Sequence, residues 1–306
     1  MRSVSMSRPA PSSKVIIFDW DDTICPSSFV DQYKIDNFKD LPLHYKNLFN
    51  EIGKCAEKCL EAATQYGEVI IITNSDDGWV KYSAERYVPN LLPVIPKYRI
   101  VSARTRYERF YPGQPLCWKA AAFAHEVNEL FVKDLDEQVI RERKGSDDSD
   151  RMNESLDSMV STDESSVGSA NSSFEMEEDS GPMSWRKKGE RSKPVDKIPI
   201  MGRREVISFG DSMEERTAVK IVSGQLSAVP KSVMFIGSPT PMQLVGQLTM
   251  LTRHMKFVCE NETSLDLEIS PQQAKKCAEE LLKKNKAMGE QNNSGSFFSR
   301  IGRIGA

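Results

Sequence analysis

The chain has 306 residues, 39% of them hydrophobic, and a formal net charge of −3. That is enough apolar material for one or two domain cores, and the mild acidic balance excludes a whole-chain basic field of the kind that binds nucleic acid. Six cysteines and three histidines give neither a disulfide framework nor a zinc-ligand spacing, so reduced thiols and a cytoplasmic compartment are expected.

Residues 1–13, within "MRSVSMSRPAPSSK", carry no apolar core of a secretory signal and read as a disordered tail. The first apolar run, "VIIF" (15–18), is continuous rather than alternating, which predicts a strand buried on both faces. It runs directly into "DWDDT". Residues 25–42, with Phe29, Tyr33 and Phe38, suggest a small flap. A helix is predicted over 43–65, with Leu48, Ile52, Cys55, Cys59 and Ala63 on one stripe. Further strands are predicted at "VIIIT" (69–73), "YRIVSA" (98–103), "EVISFG" (205–210) and "SVMFIG" (232–237). Helices are predicted at 117–131 and 239–255.

Strands alternating with helices predict an α/β fold. It is expected to be a Rossmann-like three-layer sandwich with a parallel sheet of about five strands. Between 142 and 199 the pattern breaks. Ser, Asp and Glu dominate 145–180, and 186–204 then turns basic ("RKKGERSKPVDK", "GRR"). Such a segment buries too little apolar surface to offset its ordering entropy, so a disordered insert is expected. A C-terminal helix is predicted over 269–289, with Pro271 at its first position, a Ser270/Gln273 capping box and Gly289 after its end. Residues 290–306 read as a tail. No apolar run approaches the roughly 20 residues of a membrane span.

In an open α/β sheet, ligands bind beyond the carboxyl ends of the strands. Here those ends carry Asp19 and Asp21, then Thr73, Asn74 and Ser75, then Gly210, Asp211 and Ser212. Lys119 opens the helix after the third strand, with Lys97 a second candidate for a site lysine.

"FDWDDT" resembles the Asp-x-Asp-x-Thr signature of the haloacid dehalogenase (HAD)-like superfamily. "VIIITNS", Lys119 and "SFGDSMEE" are similar to its second, third and fourth motifs, in order. The resemblance covers roughly 14–135 and 200–260, and implies a catalytic domain over 14–141 and 200–268. It implies a Mg²⁺-dependent phosphatase that hydrolyses a phosphomonoester through an aspartyl-phosphate. A carboxylate attacking a phosphate is anion meeting dianion, and a hard cation relieves that repulsion. By the resemblance, Asp19 is the nucleophile and Asp21 the acid/base. Thr73 and Lys119 are expected to complete the catalytic set. Trp20, Thr73, Asn74 and Lys119 are expected to bind substrate, and Asp19, the Asp21 carbonyl, Asp211 and Glu215 the metal. Glu215 also fits a capping box with Ser212, and Glu214 competes with it for the metal role. Asp22 reads as solvated or as capping a turn. His44, His125 and His254 have no part in this mechanism.

Short intervals at 24–68 and 104–118 leave little room for a cap domain. A capless site would admit a phosphoprotein or another large phosphorylated partner as well as a small molecule. The paired acids of known capless protein phosphatases are, however, missing from "GDSMEE". The 142–199 insert offers a second surface, suited to a protein partner. Two other classes remain open on the sequence: a catalytically silent binding or regulatory protein that keeps the fold, and a phosphotransferase or phosphomutase.

Overall fold

The computed structural model describes residues 13–150 and 203–301, with side chains over 13–135 and 203–287. Most of the expected tail at 1–13 and of the expected insert falls outside these residues; Ser13 is described and opens the first strand. The chain divides into two units, 1–136 with 202–306, and 137–201. The sheet belongs to the first.

Six parallel strands form one sheet in the order β3-β2-β1-β4-β5-β6. They are β1 (Ser13–Phe18), β2 (Glu68–Thr73), β3 (Arg99–Ser102), β4 (Arg204–Gly210), β5 (Val229–Met234) and β6 (Leu265–Glu268). The helices are α1 (Ser27–Gln32), α2 (Leu43–Thr64), α3 (Trp79–Tyr87), α4 (Ala103–Tyr107), α5 (Pro115–Asp150), α6 (Met213–Gln225), α7 (Pro241–Glu260) and α8 (Pro271–Ile301). Strand side chains alternate between faces, so each apolar strand feeds two cores. Ile16, Phe18, Ile71 and Phe209 pack with α2 and α7 on one face. Val15, Ile17, Ile70 and Val206 pack with α5 and α6 on the other. This is the Rossmann-like α/β sandwich expected from the continuous apolar runs.

Four boundaries differ from expectation. The sixth strand, β6, was not anticipated. Its Leu-Asp-Leu-Glu pattern alternates, as an edge strand buried on one face should: Leu265 and Leu267 face the core, while Asp266 and Glu268 meet Arg216 of α6. The fifth strand lies at 229–234 rather than 232–237, because β4 pairs it from Val229. α5 continues through 142–150, which composition had placed in the insert, and α8 runs past Gly289 to Ile301. A glycine costs only about 1 kcal/mol inside a helix, too little to stop one.

The expected box at α8 is not formed: Ser270 Oγ donates to Gln272 Oε1 at 2.8 Å instead. The box on α6 is formed by Ser212 and Glu215. On α2, Phe49 is buried and Leu48 is half-buried, so the stripe is turned by one residue, while Cys55 and Cys59 are buried on it. All six cysteines are free thiols.

The chain runs β1-β2-β3 towards one edge, then returns beside β1 and runs β4-β5-β6 towards the other. The strand order therefore reverses between β1 and β4, and a crevice opens at their carboxyl ends. Phe18 pairs Phe209 in register, which sets Asp19 and Asp211 at that crevice. On the opposite edge, Lys231 is fully buried against Glu205 at 2.5 Å, far from it in the sheet. No helix among the described residues is long and apolar enough to cross a membrane. Only α1, a short 3-10 turn and α2 lie between β1 and β2, and only α4 and the start of α5 between β3 and Lys119.

Candidate active site

The β1 ladder extends one step past the strand, with the Asp19 N–H donating to the Phe209 carbonyl at 2.8 Å. The chain then turns sharply. Both Ile24 and Cys25 N–H groups donate to the Trp20 carbonyl at 2.9 Å, and Asp22 adopts a positive φ of 53°. This turn holds Asp19 and Asp21 on the crevice and sends the Trp20 indole into the core, where it is fully buried and donates to Ser83 Oγ at 2.8 Å. Trp20 therefore offers a substrate no side chain, contrary to expectation.

Lys119, one turn into α5, is 1% exposed. Its ammonium donates to an Asp19 carboxylate oxygen, Oδ1, to Glu215 Oε1 at 2.8 Å and to the Ile72 carbonyl at 2.7 Å. Asp19 Oδ2 takes no hydrogen bond from a described residue. Lys97 is elsewhere, an exposed partner of Glu61. Burial alone would lower the Lys119 pKa, but the carboxylates of Asp19 and Glu215 outweigh it and hold the ammonium form. Burial pushes the Asp19 carboxyl well up. Lys119 opposes that, and the charges of Glu215, Asp21 and Asp211 reinforce it. Burial also works upward on Glu215, where Lys119 and Ser212 prevail and hold it low.

Glu215 is divided between two tasks. Oε1 meets Lys119, and Oε2 accepts from the Ser212 N–H at 3.1 Å and from the Ser212 hydroxyl. Both oxygens are thus engaged within the protein, and the capping-box half of the expectation for Glu215 is met. Glu214 takes part in none of these contacts. The close approach of Glu215 to β4 needs Gly210, since a Cβ there would lie 2.5 Å from Glu215 Cγ. Gly210→Ala is therefore expected to displace Glu215 and cost about 1–3 kcal/mol of stability, read by denaturant unfolding.

Asp21 is surrounded by donors. Ser27 Oγ and Trp79 Nε1 reach Oδ1 at 2.5 and 2.8 Å, and Thr73 Oγ1 and Ser75 Oγ reach Oδ2 at 3.1 and 2.8 Å. The four come from α1, β2, the loop after it and α3, so this one carboxylate ties the walls of the crevice together. Thr73 also accepts from the Ser75 N–H at 3.0 Å. Asn74 braces the start of α5 instead of facing the acids, its amide donating to the Pro115 carbonyl at 3.3 Å. Asp22 is buried rather than solvated, and accepts from the Ser28 N–H at 2.9 Å, as a turn cap. The Thr23 hydroxyl is buried without a partner.

Two carboxylates, Asp19 and Glu215, share the Lys119 ammonium, while Asp21 and Asp211 add their charge to Asp19 with no ion pair of their own among the described residues. Asp211 carries the clearest sign of that surplus. Burial first, then Glu215 and Asp22, raise its pKa to about 7. Among the described residues, no three of His, Cys, Asp and Glu form a metal cluster. A magnesium ion does not require one: it is commonly held by one or two carboxylates and keeps several waters. Asp19, Asp211 and the Asp21 carbonyl are hard oxygen donors of that kind, and the negative surplus fits a divalent cation.

No family model, curated protein or solved structure matches this chain. The site is therefore read from its own chemistry. Sequence motifs identified Asp19, Asp21, Thr73, Lys119, Asp211 and Glu215. They missed Ser27 and Trp79, which reach Asp21 only through the packing of α1 and α3. Ser75 stands at the strand end two residues beyond Thr73, and its role as a donor to Asp21 has no motif to announce it.

Proposed function

We propose that the chain is a Mg²⁺-dependent phosphomonoesterase of the HAD-like type that works through an aspartyl-phosphate on Asp19. The observation that carries this reading is the buried Lys119 ammonium between Asp19 and Glu215, at the point where the strand order reverses.

Lys119 holds Oδ1 of Asp19, which fixes the carboxylate and leaves Oδ2 to attack phosphorus. The same fixed positive charge opposes the negative charge that builds on the phosphoryl oxygens. Magnesium, held by Asp19, Asp211 and the Asp21 carbonyl, would supply charge neutralisation between nucleophile and phosphate. Asp21 gives a proton to the departing alkoxide, and the P–O bond to the leaving group breaks as the Asp19–phosphorus bond forms. It then takes a proton from the water that cleaves the acyl phosphate, which returns Asp19 as a carboxylate and releases phosphate. Trp79 and Ser27 hold Asp21 for both steps. Hydroxyls of Thr73 and Ser75, which donate to Asp21, would turn to the phosphoryl oxygens.

The test is hydrolysis of an aryl phosphate with and without Mg²⁺. Turnover that requires Mg²⁺ and stops with chelator supports the reading. No turnover by folded protein in Mg²⁺ contradicts it and favours a binding protein. The same cation should stabilise the fold, by about 2.7 kcal/mol at a hundredfold excess over its Kd. Without metal, native Asp211 keeps a proton that the unfolded chain has lost, so stability falls as pH rises from about 4 to about 7. Added Mg²⁺ should reverse that slope, which thermal unfolding across pH measures.

A further inference from the structure

We propose that the groove beside Asp21 recognises a phosphorylated polypeptide segment with basic residues next to the phosphate. This rests on the phosphatase reading above.

A cleft of about 510 Å³ contains Asp21 in its lining and runs between α1 and α3. A second groove of about 380 Å³ adjoins it, sharing Lys34, Ile35 and Asp36, and continues to Phe29, Tyr33 and Tyr45. Together the two line one continuous surface from Asp21 to Tyr45, of the kind an extended chain can follow. A small amino-alcohol phosphate would fill only the first part.

The charge on this surface is one-sided. Its ionisable acids are Asp21, Asp31, Asp36 and Asp40, against Lys34 alone. Lys34 is already paired with Asp31 at 3.0 Å. Asp36 and Asp40 are exposed and have no ion-pair partner among the described residues. Arg86 is near, but it donates to the Asp36 backbone carbonyl. A leaving group that departs past Asp21 therefore meets two unpaired carboxylates, which repel further anionic groups and attract cations. Tyr33, 59% exposed and tilted at 41° against Phe29 with ring centroids 4.6 Å apart, adds an aromatic face on which a guanidinium can lie. Together these favour arginine in the flanking sequence.

The experiment uses the full chain with Mg²⁺ and four substrates: an aryl phosphate, phosphoethanolamine and two phosphoserine peptides of equal length, one flanked by Arg and one by Glu. The Arg peptide is expected to show a kcat/KM about tenfold higher, with the ratio shrinking as salt is added. An Asp36→Asn, Asp40→Asn double variant should bring the ratio close to one and leave aryl phosphate turnover unchanged. Equal rates on the two peptides with an active enzyme, a ratio that survives the double variant, or faster turnover of phosphoethanolamine than of either peptide would overturn the proposal alone. Failure on all substrates, the aryl phosphate included, would instead overturn the phosphatase reading on which it rests.

Discussion

Asp19→Asn is expected to reduce aryl phosphate hydrolysis by at least about a thousandfold, because it removes the attacking oxygen and not merely a contact. The fold should survive. Asparagine keeps the shape of the side chain, and Lys119 retains Glu215 Oε1 at 2.8 Å and the Ile72 carbonyl at 2.7 Å. The lost charge also lay beside Glu215, Asp21 and Asp211, whose negative charges push the Asp19 carboxyl up. Relief of that repulsion predicts a thermal midpoint in metal-free buffer equal to or above that of the wild type. Activity and stability therefore move independently. A variant that lost both would place Asp19 among the residues that merely hold the site together.

Lys119→Met should act in the opposite way on stability. The ammonium is buried, and its removal leaves the Asp19 and Glu215 carboxylates without their shared cation. Breaking a buried ion pair by removing one partner costs about 3–5 kcal/mol, which thermal unfolding would read as a fall of roughly 10 °C for a domain of this size. Activity should be lost as well. Adding Glu215→Gln to this variant removes one of the stranded charges while the amide keeps the shape of the cap on α6. It should restore part of the stability and none of the turnover. That separation distinguishes a lysine that serves the reaction from one that serves only the fold.

The parts of this molecule that were legible in the sequence are those encoded locally. Continuous β-branched runs marked five strands, because a strand covered on both faces needs no polar residue. The carboxylates at their ends marked the candidate site, because an open parallel sheet binds ligands beyond the carboxyl ends of its strands. β6 was overlooked because only one of its faces is buried, so Leu265 and Leu267 alternate with Asp266 and Glu268 and no apolar run appears. The ends of α5 and α8 were misjudged because composition and a single glycine are weak terminators. The cage around Asp21 was legible only in part. Thr73 and Ser75 stand at a strand end, but Ser27 and Trp79 arrive through tertiary packing that has no local signature. Glu215 shows the same limit. Spacing revealed its capping box with Ser212, while its contact with Lys119 depends on α5 and α6 meeting the same side of the sheet.

The most direct test of the account is to quench the wild type with acid during turnover of an aryl phosphate in Mg²⁺ and map any phosphoryl group by peptide mass. An acyl phosphate is stable enough in acid to be recovered and is removed by hydroxylamine. One phosphoryl group is expected on the peptide that contains Asp19, absent in Asp19→Asn. A phosphoryl group on another residue, or turnover with no covalent phosphate at any quench time, would contradict it.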